Sequence, residues 1–452
     1  MKDAIVIKDA RVICPVNNFD NTMDVLISNG EIHDTGLNIK PPSGARIINA
    51  KGMVLSPGFI DLHCHLREPG FEYKETIDSG SSAAAKGGFT TICAMPNTHP
   101  VTDTATSIKF LIEKAKNTKV RVLPIGSATK GSAGLELTEM AEMVEAGAIG
   151  FSDDGNPIAN DKLMRHALEY SSALGVPIID HCEVPSLFNN GQINEGWVST
   201  RLGLQGIPPE AEEQMVNRNI SLAQLTGGWI HLAHISTKKS VEAIRRAKSS
   251  GVKITAEVTP HHLTMTEDSV LNLSGPKSVF EPLTENSYNT MAKVNPPLRR
   301  LEDLAALIEG LADGTIDIIA TDHAPHSLVE KLCPLEEAAF GISNLETALG
   351  SVLSLVHTNK ISLPRIIESI TSSPANMLQD ITDNKIGELS KGFSADLTLF
   401  DPTANWQVDV SKFISKGKNS PLHGEWLRGK VMATIYKGVI VYSDLTKESV
   451  SK

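Results

Sequence analysis

Apolar, β-branched runs that end in polar residues recur through the middle of the chain, separated by stretches whose apolar positions repeat every three to four residues. Eight runs predict strands: GFIDLH (58–63), TTICAMP (90–96), VRVLPIG (120–126), AIGFSDD (148–154), PIIDHC (177–182), WIHLAHI (229–235), KITAEVTP (253–260) and DIIATDHAP (317–325). The first five begin 28 to 32 residues apart, the length of a strand, a loop and a crossover helix. Between them TSIKFLIEKAKN, ELTEMAEMVEAG and DKLMRHALEYSSALG read as amphipathic helices. Eight strand–helix units close most economically as an α/β fold, a (β/α)8 TIM-type barrel.

The two ends of the chain have another texture. AIVIKDARVI, DVLISNGEI and ARIINAKGMVL near the start, and GELSKGFSADLTLFDP and GKVMATIYKGVIVYS near the end, are short strand patterns broken by turn signals. Neither tail is large enough for its own core. Residues 1–57 and 387–452 are therefore expected to pair into one small flanking β-sandwich domain formed from both termini, beside a barrel of residues 58–386.

At 452 residues and 41% hydrophobic composition the chain can bury a sizeable core. A net charge of −11 without a basic run argues against nucleic acid or an anionic membrane as partner. The start of the chain lacks an apolar signal-peptide region, and no stretch of 18 apolar residues occurs, so a cytoplasmic protein is expected. Five scattered cysteines, Cys14, Cys64, Cys93, Cys182 and Cys333, form no paired-spacing framework and fit reduced thiols.

Candidate chemistry concentrates where the strands end. In DLHCHLREPG (61–70), His63 and His65 share a face at a strand terminus and can converge on one point. Further candidate ligands fall at the ends of the fourth (Asp153, Asp154), fifth (His181), sixth (His234) and eighth (Asp322) runs, the face on which barrel enzymes build active sites. Four histidines and two carboxylates exceed what one tetrahedral ion needs and suggest two metals sharing a bridge. Alternation says only that Asp153 and Asp154 face opposite ways. His231 alternates away from His234 and reads as structural, as does His323 beside Asp322; Cys64 and Cys182 read as small buried thiols. His261 and His262 follow the seventh run at the mouth, where a structural role outweighs a direct one.

The motifs PGFIDLHCHLREPG, GGFTTICAMPNT, GFSDDG, DHCE, HLAHIST, VNPPLR and ATDHAPH resemble those of the class I bacterial dihydroorotases of the amidohydrolase superfamily, in register from about residue 10 to residue 443. The resemblance implies a zinc-dependent cyclic-amide enzyme of pyrimidine (UMP) biosynthesis that closes N-carbamoyl-L-aspartate into (S)-dihydroorotate plus water, and reopens it. It implies two Zn2+ per subunit: His63 and His65 with Asp322 on one, His181 and His234 on the other, bridged by Asp154 and a hydroxide. Many relatives bridge with a carbamylated lysine directly after a phenylalanine, but here Ser152 follows Phe151 and GAIGFSDDGNP holds no lysine. Asp is shorter than that group, so the His181/His234 site is expected to be the less fully occupied.

Dihydroorotate carries a carboxylate, and Arg67 offers a planar fork suited to it. By resemblance Asn97 and His326 complete that clamp, His65 lies against substrate, and Asn295 with the backbone of Phe340 and Gly341 contacts the ring; Asn344 stands where a small residue is usual. In the implied mechanism hydroxide attacks the ring amide carbonyl while Asp322 moves a proton from it to the leaving nitrogen. An allantoinase or hydantoinase would share barrel and metals but lacks reason for the clamp, and a non-catalytic subunit scaffolding aspartate transcarbamoylase would be expected to have lost ligands. A homodimer and a transcarbamoylase partner are left open by the sequence.

Overall fold

The computed structural model describes residues 4–272, 282–284, 286–378, 385–446 and 449–451. Seven of the eight runs are strands: Phe59–Cys64, Phe89–Ala94, Arg121–Pro124, Ile178–Asp180, Ile230–Leu232, Ile254–Val258 and Ile318–Ile319. The first three form one parallel sheet in chain order and the other four a second.

The run at 148–154 differs from expectation, since in it only Phe151 pairs, in parallel bridges to Gly126 on one side and Ile178 on the other. Its backbone is bonded both ways, Ile149 N–H to Pro124 O at 3.0 Å and Ile179 N–H to Phe151 O at 2.8 Å. A ladder cannot lengthen here, because Gly147 turns the chain at φ +112° just before it and Asp153 leaves it to bind elsewhere. At the far edges a parallel bridge joins Cys64 to His323, and His65 N–H donates to His323 O at 2.9 Å. Single bridges thus connect the two sheets on both sides.

Period-two alternation sorts the strand residues into two cores. Ile60, Leu62, Cys93, Ile125, Ile149, Ile179, Ile318 and Ala320 pack together between the sheets. Their alternates, among them Phe59, Ile92, Phe151, Ile178 and Ile230, pack against the helices. Each such buried Ile or Phe contributes about 1.5–3 kcal/mol. The helices begin where capping residues stand: Thr76 accepts from Ser79 N–H before Ile77–Gly87, and Thr104 from Ser107 N–H before Ala105–Ala115.

Both ends of the chain enter a single nine-stranded sheet with its own apolar cluster, including Ile7, Val12, Ile27, Leu55, Leu397 and Ile435. Its first strand, Ile5–Cys14, pairs through Ile5–Lys8 with Arg46–Asn49 and through Arg11 and Val12 with Val54 and Leu55. The switch of partner falls at a bulge around Asp9, φ +56°, which bends the strand between the two. From the other end Leu397–Gln407 pairs with Val54–Pro57, and Val450–Ser451 with Arg46–Asn49.

A segment that periodicity did not anticipate lies between the fifth and sixth runs. It contains the parallel pair Ile193–Asn194 and Gly206–Ile207 and the helix Trp197–Leu202, and buries Val198 and Leu204 against Val294, Leu335 and Ile342. Among the described residues no helix is long and apolar enough to cross a membrane.

Candidate active site

The strands end together at one mouth because their termini are tied to one another. Asp61, buried inside Phe59–Cys64, accepts from Thr321 N–H at 2.8 Å and from Thr321 Oγ at 2.5 Å, joining the first strand to the segment that carries Asp322. Past the ladder the backbone leaves extended geometry: Arg67, His234 and Asp322 have φ of +61°, +32° and +44°. Non-glycine residues adopt that region only where surroundings compel it, and here it turns three functional side chains inward.

His63, His65, Asp154, His181, His234 and Asp322 are all buried and converge. His63 Nε2 lies 3.3 Å from Asp154 Oδ1 and 3.6 Å from Asp322 Oδ1; His65 Nε2 lies 3.1 Å from Asp322 Oδ1 and 3.5 Å from Asp154 Oδ2. His234 Nε2 is 3.6 Å from Asp154 Oδ1. Donor atoms of two trios, His63/His65/Asp322 and His63/Asp154/His234, fall within 4.8 Å of one another. His181 joins neither trio directly: its Nδ1 is 2.9 Å from His234 Nε2 and its Nε2 accepts from Asn295 Nδ2 at 3.2 Å.

The hydrogen bonds behind these rings decide which nitrogen faces the centre. His63 Nδ1 donates to Glu257 Oε1 at 2.6 Å, and His65 Nδ1 donates to Asn97 Oδ1 at 2.8 Å. A neutral imidazole so engaged turns an Nε2 lone pair inward, toward carboxylate oxygens that are also acceptors. His63 Nε2 and Asp154 Oδ1 are buried without a hydrogen-bond partner. Acceptors facing acceptors in a dry site need a positive charge between them, either a proton or a cation. Without a cation the proton serves: burial lowers His63, but the charges of Asp154 and Glu257 outweigh it and hold the imidazolium well above its ordinary range. Burial raises Asp154, and His63 and His234 more than reverse that, keeping it well below the carboxylate norm. Asp322 is likewise raised by burial and pulled down to about 2 by the His65 hydrogen bond and the neighbouring imidazoles. The donor set therefore fits a divalent metal, which would supply the same charge.

His65, Asp154, His181, His234 and Asp322 line a cleft of about 220 Å³ together with Arg67, Asn97, Asn295, His326, Phe340 and Gly341. Arg67 is buried and pairs with neither Glu68 nor Glu72: its Nε donates to Pro325 O at 3.3 Å and one NH2 to His326 Nε2 at 3.3 Å. Glu68 instead meets Lys114 at 3.2 Å, and Glu72 accepts from Gly70 N–H at 2.9 Å. The amide of Asn97 is already engaged, holding His65 and donating to Asp154 Oδ2 at 3.5 Å. Asn295 Oδ1 has no partner. Gly341 has both backbone groups bonded within the protein, its N–H to Lys293 O at 2.9 Å and its O to Asn419 Nδ2 at 3.0 Å.

The neighbouring polar residues sort by partner. Asp153 turns away from Asp154 to accept from Ser127 Oγ at 2.8 Å and Thr129 N–H at 2.9 Å. His231 bonds Thr255 and Glu257, and His262 bonds Thr259 and Pro296 O. His323 accepts from Asn344 N–H at 3.0 Å and faces Glu75, while Cys64 and Cys182 stand outside both trios. His261 keeps an unpartnered Nε2, and Asn344 donates to its Nδ1 at 2.7 Å. Sequence reading missed Glu257, which touches His63, His231 and the His234 backbone. The signal was present as a carboxylate inside the apolar run KITAEVTP.

In fold the chain is similar to L-hydantoinase (dihydropyrimidinase) from Arthrobacter aurescens, at a TM-score of 0.83 and 24% identity over 98% of this chain and 96% of that one. It is also similar to dihydropyrimidinase from Brevibacillus agri, at a TM-score of 0.81 and 20% identity over 98% and 95%. These two likenesses are of fold. A family model described as dihydro-orotase-like matches residues 52–240. Dihydroorotase of Syntrophus aciditrophicus is 46% identical over 442 residues, covering 97% of this chain and 99% of the relative, and that of Geobacter metallireducens 45% over 439 residues, with the same coverage. The chain belongs to the dihydroorotase family.

Proposed function

We propose that the protein catalyses the reversible cyclisation of N-carbamoyl-L-aspartate to (S)-dihydroorotate and water, with two zinc ions, in de novo pyrimidine synthesis. The carrying observation is the inward-facing pair His63 Nε2 and Asp154 Oδ1, buried and unpartnered at 3.3 Å, beside a buried guanidinium free of any carboxylate partner among the described residues. Such a cleft suits a small molecule with an amide at one end and a carboxylate at the other. The two sheets bridged at both edges are read as a closed (β/α)8 barrel spanning 58–386, and the nine-stranded sheet as a composite sandwich of 1–57 and 387–452 folded at the Asp9 bulge.

His63, His65 and Asp322 would hold one zinc, His181 and His234 the other, with Asp154 between. Zinc, when bound, acidifies water and polarises an amide carbonyl. Asp322, ionised throughout the neutral range, takes the proton of the attacking water and delivers it to the ring nitrogen as the C–N bond breaks; the reverse sequence closes the ring. Arg67 holds the substrate carboxylate, aligned by Pro325 O and His326. Asn97 keeps the His65 ring turned inward, and Asn295 offers its free Oδ1 to a ring N–H. Phe340 and Gly341 wall the ring plane.

Ultraviolet detection of dihydroorotate hydrolysis before and after chelation tests this reading. Activity that disappears on metal removal and returns with zinc supports it, and undiminished activity in metal-free protein overturns it.

A further inference from the structure

Two lysines lie deep in the protein on the Phe340 side of the cleft. Lys331 is fully buried and Lys293 is 2% exposed, unusual for a side chain that is almost never interred without a counter-ion. Among the described residues neither ammonium meets a carboxylate. Lys331 Nζ donates to Ala339 O at 2.7 Å, Gly341 O at 3.1 Å and Lys293 O at 3.3 Å. Lys293 Nζ donates to Leu335 O at 2.7 Å, Glu336 O at 3.4 Å and the amide oxygen of Gln192, and lies 4.4 Å from the centre of the Phe340 ring.

Four of these six acceptors belong to one short stretch, 335–341, which ends in the two residues that wall the cleft. The stretch has no helix or strand of its own to define it. Its final turn sits where only glycine fits: Gly341 has φ +134°, and a Cβ there would come 2.6 Å from Ala324 Cβ. A loop without a ladder keeps its shape only if its carbonyls are satisfied some other way. Here two lysines perform that task for Leu335, Glu336, Ala339 and Gly341, Asn419 sharing the last. Burial, together with the repulsion of the Lys293 ammonium, pulls Lys331 down to about 7, so its charge is only partly held at neutral pH, while its nitrogen still donates to the carbonyls in either form.

We propose that Lys331 and Lys293 are positioning residues for substrate: their ammonium groups pin the 335–341 loop so that Phe340 packs against the ring of the bound molecule. Gln192 extends the cage to the inserted segment, whose Phe188 ring lies 6.3 Å from that of Phe340. The inference rests on the reading that Phe340 contacts substrate, and it concerns binding rather than the proton transfers at Asp322.

The test uses the full-length, zinc-loaded protein and dihydroorotate. Lys331→Met keeps volume but leaves Ala339 O without its donor and takes one bond each from Gly341 O and Lys293 O, which keep Asn419 Nδ2 and the Gly341 N–H; KM is expected to rise about tenfold or more with kcat within about twofold, bound metal unchanged, and amide exchange faster across 335–342. Gln192→Ala removes one acceptor from a partly exposed position and is expected to move KM the same way by about two- to threefold, a readout that stands if Lys331→Met does not fold. Phe340→Ala separates the two levels. If it raises KM while both cage variants leave KM unchanged, the positioning role is overturned. Faster loop exchange at unchanged KM overturns it too, because the lysines would then be structural only. If Phe340→Ala itself leaves KM unchanged, the substrate-contact reading fails and the inference with it.

Discussion

On one side of the cleft imidazoles pack against carboxylates: His63 between Glu257 and Asp154, His65 against Asp322, His234 against Asp154. On the Arg67 side, among the described residues, the carboxylate within reach is Glu330, 3.7 Å from His326 and already paired with Lys74. Arg67 faces a carbonyl and a histidine, and Lys293 and Lys331 face carbonyls and an amide. The first wall gathers acceptors and calls for a cation. Of these cations Arg67 lines the cleft; its hydrogen-bond partners are a carbonyl and an imidazole, and it so has capacity to spare for an anion. On the proposed reading, a substrate with an amide and a carboxylate would be oriented by this difference, its amide toward the histidines and its carboxylate toward the arginine. The walls also differ in how they fail: full charges in a dry site cannot be removed without rearranging the rest, whereas a dipolar cage loosens one hydrogen bond at a time.

The largest effect is expected on the histidine wall. Asp322→Asn retains an oxygen that can ligate but cannot carry a proton, so kcat is expected to fall by about 10²- to 10⁴-fold with metal largely retained, as read by turnover and metal analysis. Near-normal turnover would remove Asp322 from proton transfer.

Glu257→Gln probes the same wall from behind. Its carboxylate sets the orientation of His63 and its protonated nitrogen, and loss of such a support costs roughly 10- to 100-fold in metal affinity. Competition with a chromophoric chelator measures this. An unchanged affinity would mean that the His63 ring is held by packing alone.

On the cationic wall, Arg67→Lys replaces a planar fork with a point charge. The loss of one charge-assisted contact is worth about 1.5–3 kcal/mol, or roughly 10- to 100-fold in kcat/KM for dihydroorotate. A neutral hydantoin without the carboxylate should be a poor substrate for the parent enzyme and little affected by the change. Equal turnover of the two substrates would break the proposed division of labour between the walls.

The smallest expected effect is none. Asp154 is already an anion in the folded protein, held so by His63 and His234, so apo-protein given zinc should recover equal activity with and without bicarbonate. Bicarbonate-dependent recovery would show that a carbamate takes part. Because no carboxylate of the two trios pairs with His181, whose Nε2 lies 3.9 Å from Glu183 outside them, metal titration should reveal weaker retention on that side.

Much of this arrangement was legible from the chain alone. Apolar alternation located seven of the eight strands, and the polar residues that interrupted it at their ends include those the structure brings together, because both signals are local and repeat with the geometry of the backbone. The Asp153/Asp154 pair shows where that stops: alternation sends them opposite ways, but only the hydroxyls of Ser127 and Thr129 show which way each goes. The fourth run reads as a strand and pairs through Phe151 alone, since ladder length depends on where the neighbours end. Glu257 and the two buried lysines look like ordinary charges in sequence. Their importance comes from Glu257 meeting a histidine 194 positions away and Lys293 meeting a glutamine 101 positions away. The sequence by itself determined the period, the donor types and the places of seven of the eight strands, whose physics acts between near neighbours. The tertiary structure alone decided which charges are stripped of water and what they face, because desolvation and pairing belong to the whole packed chain.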